Sequence, residues 1–184
     1  VLVCRGACIF DPHMHRNRTA TTKTGNGTMN QADFATRLQR LEDIEAIRRL
    51  KARYCAACDA GHDGDAIATL FAPDGVWEAP GITRAEGGDA IRAYMGAVAA
   101  SGIRNSAHNV MNPVIDVDGD VATAHWRLVM LYTAVRDGEP RWYRIIGWYR
   151  DTLERHAGEW RFRHLFCQVE ENGEYRLERE PGPR

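Results

Sequence analysis

Cysteine, histidine and aspartate are the side chains here that could hold a metal, carry redox chemistry or move a proton, and their spacing separates those possibilities. Cys55 and Cys58 have the two-residue gap of a redox or zinc pair. No second pair follows, and both fall inside a helical repeat, so a packed core is their expected place. With Cys4, Cys8 and Cys167 they make an odd, scattered set of five that reads as reduced thiols rather than a disulfide framework. His13 and His15 lie in a stretch without periodicity and read as solvated. His125 and His164 lack the paired spacing of a metal site on helices. Neither a metal nor an organic cofactor is expected. An imidazole is suited to moving a proton without perturbation, because its ordinary pKa lies near neutral pH.

Side chains of this kind work only if rigid elements hold them. From Asp33 onward Leu38, Leu41, Ile44, Ile47, Leu50, Tyr54 and Cys58 recur every three or four residues, with Arg and Glu between them. That is the pattern of a long amphipathic helix, ending at Ala60-Gly61. A shorter helix is expected over 65–71, a turn at 72–75, a short strand over 76–78, and a further helix from Gly87 to Ala100 with Asp89 as its cap. After Ser101-Gly102 come long strands, roughly 107–117, 121–135, 142–155 and 160–169. The turn sequences Asp118-Gly119-Asp120, Asp137-Gly138-Glu139-Pro140 and His156-Ala157-Gly158-Glu159 separate them. Such a series predicts a four-stranded antiparallel meander, and helices followed by a meander predict an α+β fold.

Length and charge narrow the function. The 184 residues suffice for one well-cored domain, and 44% hydrophobic with 27% charged residues is ordinary globular composition. A net charge of −1 with interleaved signs offers no basic face to nucleic acid. No apolar run is long enough to span a bilayer and no secretory signal is evident, so neither nucleic acid nor membrane is an expected partner and the cytoplasm is the expected location. Residues 1–32 are expected to be a disordered extension, 33–172 the domain, and 173–184 a charged tail.

Several motifs occur together in a definite order: Tyr54 with Asp59 five residues later, Leu70-Phe71-Ala72-Pro73-Asp74, His108, Asp118-Gly119-Asp120, Gly147-Trp148-Tyr149 and Gly158-Glu159-Trp160. Over about residues 36–170 this order resembles the SnoaL-like family of the nuclear transport factor 2-like superfamily. The resemblance implies a cone: a curved antiparallel sheet wrapped around helices and enclosing one pocket. Within that family the pattern is similar to scytalone dehydratase, bile acid dehydratase and hexachlorocyclohexane dehydrochlorinase. These pair an aspartate at the end of the first long helix with a histidine on the first meander strand.

By that resemblance His108 is the base that removes a proton from carbon, and Asp59 fixes its tautomer and steadies the imidazolium. Tyr54 falls where some of these dehydratases place a phenol on the leaving oxygen. Where they carry another polar group on the second meander strand, this chain has Leu131. Five residues along a helix turn through about 140°, so Tyr54 and Asp59 reach one pocket only if the helix end bends over it. Tyr143, Ile145, Gly147 and Tyr149 share one strand face, which the resemblance turns toward the pocket, making Tyr143 and Ile145 candidate substrate contacts. Asn112 shares strand parity with His108 and is a further candidate. Trp77, Trp126 and Phe71 suit either the cavity lining or the plain core.

The function implied is a cofactor-independent lyase or isomerase acting on a small hydrophobic, cyclic molecule. The alternative is a non-catalytic binding protein or the small subunit of a ring-hydroxylating dioxygenase, in which the Asp59/His108 pair is structural. Epoxide hydrolysis ranks last, because Arg127 and Arg144 lack flanking acids. By resemblance, and from aromatic residues in excess of what one pocket needs, a homodimer or homotrimer is expected.

Overall fold

The computed structural model describes residues 30–175. Most of the expected N-terminal extension and charged tail, with Cys4, Cys8, His13 and His15, lies outside the described residues. The first helix, α1 (Gln31–Asp59), starts where the Asn30 side chain accepts the amide of Asp33. Next come α2 (Gly64–Ala68), β1 (Phe71–Ala79), β2 (Thr83–Glu86), α3 (Gly88–Ala100), and four long strands: β3 (Ile103–Asp118), β4 (Val121–Arg136), β5 (Glu139–His156) and β6 (Glu159–Glu174).

The six strands form one sheet in the order β2-β1-β6-β5-β4-β3. The expected meander is its larger part, with antiparallel pairing through β3, β4, β5 and β6. The sheet is mixed rather than purely antiparallel, because β1 runs parallel to β6, Trp77 opposite Leu165. It stays open, with β2 and β3 at its edges. Irregular registers fall between β3 and β4 at 111–114 and between β5 and β6 at 146–147. Such bulges bend a sheet, which lets one face wrap the helices. At Gly147 a β-carbon would collide with the Gln168 carbonyl, so only glycine allows the close approach there.

Three local expectations give way to tertiary contacts. The second helix stops at Ala68, and Phe71 opens a strand, drawn into the sheet by its ring contact with Phe162 and by the Phe162 amide bonding the Leu70 carbonyl at 2.9 Å. Residues 72–75, expected as a free turn, become an irregular stretch within β1. Asp89 does not cap α3; Gly87 occupies that position, and Asp89 pairs with Arg92 one turn on. Strand β2 was absent from the expected elements because four residues, Thr-Arg-Ala-Glu, carry too little pattern to distinguish a strand from a loop.

Helix α1 packs by its second half alone. Ile47, Leu50, Tyr54 and Cys58 are buried, whereas Leu38 and Leu41, on the same repeat, are exposed. The boundary is Asp43, a buried carboxylate that accepts from Arg155 at 2.7 Å and from the Trp160 indole at 3.1 Å. About two turns beyond Asp43, Lys51 and Asp151 form an ion pair at 3.0 Å with both side chains 1% exposed. The Trp126 indole adds a hydrogen bond to Asp151 at 2.9 Å. These polar anchors fix how α1 lies on the sheet, and its C-terminal end therefore meets β3. No helix among the described residues is long and apolar enough to cross a membrane.

Candidate active site

Helix α1 ends on a carboxylate, and β3 brings an imidazole to it. Asp59 Oδ1 lies 2.6 Å from His108 Nδ1, and Asp59 Oδ2 accepts the His108 main-chain amide at 3.0 Å. Burial acts to raise the Asp59 pKa. The ring and amide hydrogen bonds from His108 outweigh it and hold the carboxyl below its ordinary value. An ionised carboxylate only accepts hydrogen bonds, so His108 Nδ1 carries a proton toward it. Whenever the ring is neutral, the pair therefore holds it in one tautomer, with the lone pair on Nε2.

His108 lines a cavity of about 370 Å³ between the inner face of the sheet and the helices. Its walls are largely apolar: Leu128 and Met130 from β4, Ile145 and Tyr149 from β5, Met95 and Val98 from α3. Strand alternation explains the choice on β4, where Ala124, Trp126, Leu128, Met130 and Tyr132 are all buried on one face. Tyr54 also lines the cavity, and its hydroxyl accepts the Trp77 indole N–H at 2.8 Å. That leaves the phenol proton to donate, and burial raises the Tyr54 pKa well above 10 so that the proton stays. The 140° difficulty resolves without a bent helix. Tyr54 points inward, while Asp59 stays at the helix end and acts on the cavity through His108.

A second imidazole belongs to the site. His62 follows α1 in the turn, with φ of +59°, and its side chain lines the cavity. Left-handed backbone at a residue carrying a β-carbon costs on the order of 1–2 kcal/mol. Its ring faces His108 edge-on, centroids 6.2 Å apart. Cys58, His62 and His108 each offer one ligand atom, all within 4.8 Å of one another. That donor set suits zinc or another thiophilic divalent ion. Burial pushes the Cys58 thiol up to about 12, so a metal would have to displace its proton.

The architecture and these residues together can be set against known proteins. A model of the SnoaL-like domain matches residues 39–165. The chain belongs to the SnoaL-like family. A nuclear transport factor 2-like protein with a cystatin-like fold from Novosphingobium aromaticivorans is 30% identical over 78% of this chain and 92% of its own, with a TM-score of 0.62. A protein of unknown function from Mycobacterium tuberculosis is 28% identical over 83% and 80%, with a TM-score of 0.59. A hexachlorocyclohexane dehydrochlorinase from Novosphingobium barchaimii shares the fold, at 20% identity over 79% and 99% and a TM-score of 0.68. No curated protein matches the chain.

Within this SnoaL-like domain the other expected contacts do not all reach the cavity. Trp77 and Ile145 line the cavity. Phe71 and Trp126 are core residues, one against Phe162 and the other bonded to Asp151. Leu131 lies on the opposite face of β4 from Met130 and Tyr132, so it occupies no pocket position at all. Asn112 is exposed with φ of +52°, at the irregularity in β3 that breaks its parity with His108. Tyr143 is not in the lining but stacks on Tyr132, which is, at 5.2 Å. Arg127 and Arg144 do have acidic partners, Glu170 and Glu171, but neither arginine lines the cavity. His62, Tyr94 and Tyr132 were missed. The last two were legible in principle from helix and strand periodicity, whereas His62 sits in a turn, where no repeat assigns a direction.

Proposed function

We propose that this SnoaL-like domain is a cofactor-independent lyase or isomerase that uses His108 to take a proton from carbon in a small, largely apolar, cyclic substrate. The observation that carries the reading is the doubly bonded Asp59–His108 pair at the wall of an apolar cavity. His108 Nε2 takes the proton, and the C–H electron pair forms the new double bond. In an elimination the leaving group departs from the neighbouring carbon with its bonding pair, and the Tyr54 hydroxyl hydrogen-bonds to it when it is oxygen. In an isomerisation the proton returns to another carbon. Asp59 supports the imidazolium meanwhile. A cavity of about 370 Å³ is at the small end of ligand sites, which suits a molecule of one or two rings. The elimination named in the dehydrochlorinase of the same fold is chemistry of this type.

The test is solvent-deuterium exchange by NMR on a panel of cyclic β-hydroxy ketones, enoyl acids and chlorinated rings. Exchange or elimination with wild type, reduced by about 10²–10⁴ in both His108→Ala and Asp59→Asn, is the expected result. Compounds that bind without exchanging would refute the lyase reading and favour a binding protein or an oxygenase small subunit. Self-association through the outer sheet face is part of the proposal, since Trp142, Val114 and Val121 are exposed there. Light scattering that returns a monomer mass would remove it.

A further inference from the structure

We propose that His62 is a substrate-touching catalytic residue, an imidazole whose ring N–H binds the oxygen of a carbonyl next to the carbon that His108 deprotonates. This rests on the proton-abstraction reading and narrows it to substrates activated by a carbonyl.

Three observations lead there. The first is placement: His62 is 7% exposed and lines the cavity from the turn that follows α1. Its amide is bound to the Cys58 carbonyl at 3.0 Å, so the turn holds the side chain in place. The second is access. Among the described residues no protein group hydrogen-bonds to either ring nitrogen of His62, and the buried side-chain atom left without a partner is Arg144 Nε, not a nitrogen of His62, so the imidazole nitrogens open onto the cavity. A ring nitrogen open to a ligand-sized cavity is placed to bond what enters it.

The third is distance. A ring nitrogen of His62 and one of His108 lie within 4.8 Å of each other. In a C–C=O unit the terminal carbon and the oxygen are about 2.4 Å apart, from the ordinary bond lengths. With the carbon about 3–3.5 Å from the base and the oxygen about 2.7–3.1 Å from the donor, that unit spans the two rings. A ring N–H can stabilise an enolate oxygen by hydrogen bonding without giving up its proton. The balance is then simple: the proton goes from carbon to His108 Nε2, and the electron pair goes to the carbonyl oxygen that His62 holds. Tyr54, which lines the same cavity, remains for the leaving oxygen.

The experiment compares exchange at carbon beside a ketone with elimination from a chlorinated ring that has no carbonyl, in wild type, His62→Ala and His62→Gln. Expected are a loss of about 10²–10³ for the ketone in His62→Ala, partial recovery in His62→Gln, which keeps an N–H donor, and a loss for the chlorinated ring at least about tenfold smaller than that for the ketone. A second measurement needs no turnover: the affinity of substituted phenols, as enolate mimics, against hydrocarbons of the same shape. His62→Ala should lower the preference for the phenols over the hydrocarbons by about tenfold or more, and Asp59→Asn should retain the preference. Failure of exchange in wild type with the phenol preference intact would sink the lyase reading alone. Equal losses for both substrate classes, no change in either, or a purified protein carrying one equivalent of zinc would overturn the role given to His62.

Discussion

The Lys51 ammonium lies 3.4 Å from the centroid of the Tyr149 ring, and the other face of that contact is the cavity, which Tyr149 lines. The ion pair with Asp151 is therefore the support beneath the pocket wall as well as an anchor for α1. Removing one partner leaves a buried charge uncompensated. Lys51→Met should cost about 3–5 kcal/mol of stability, read by urea denaturation. The double substitution Lys51→Met, Asp151→Leu should recover most of it, since apolar residues of similar volume often replace a buried pair at little cost. A single variant within 1 kcal/mol of wild type would show that the pair is not what holds the helix.

Asp59 makes a prediction about pH. Its pKa is lowered in the folded protein, so its contribution to stability is fully present above the ordinary carboxylate value of about 3.9 and is lost as pH falls through the lower folded value. Thermal melts between pH 2 and pH 6 should show wild type losing more Tm than Asp59→Asn across that window. At pH 7 the asparagine can offer its N–H to His108 and favour the wrong tautomer, so turnover should fall by about 10²–10⁴ while the fold survives. Parallel melting curves for the two proteins would mean that the pair is not formed in solution.

The repeat in α1 and the glycine-rich turns made the helix and the meander legible, because periods of 3.6 and 2 report which face is buried. The same logic failed wherever a register broke. Parity fails to place Asn112 because a bulge intervenes between it and His108, and Leu131 stands one residue away from the strand face that meets the cavity. Asp59 and His108 were legible through the family pattern, although 49 residues separate them in the chain. His62 carries no such signal. A turn residue's side chain is directed by its backbone conformation, and a positive φ at a histidine cannot be read from composition or spacing. Strand β1 shows the same limit: the Pro73-Asp74-Gly75 sequence reads as a turn, and pairing with β6 overrides it.

The Tyr54 hydroxyl separates two classes of leaving group. It accepts the Trp77 indole at 2.8 Å, and its own proton is directed to Cys58 or to a bound ligand. Tyr54→Phe leaves the Trp77 N–H buried and unpaired, at a cost of about 1–3 kcal/mol in stability. Expulsion of hydroxide needs a hydrogen-bond donor, whereas chloride leaves with little help. Turnover of a β-hydroxy substrate should therefore fall by about 10²–10³ in Tyr54→Phe, while a chlorinated analogue loses less than about fivefold. The measurement is a comparison of kcat for the two substrates at saturation, with denaturation melts confirming that the variant is folded. Equal losses for both substrates would assign the phenol to packing against Trp77 and take the leaving-group role away from it.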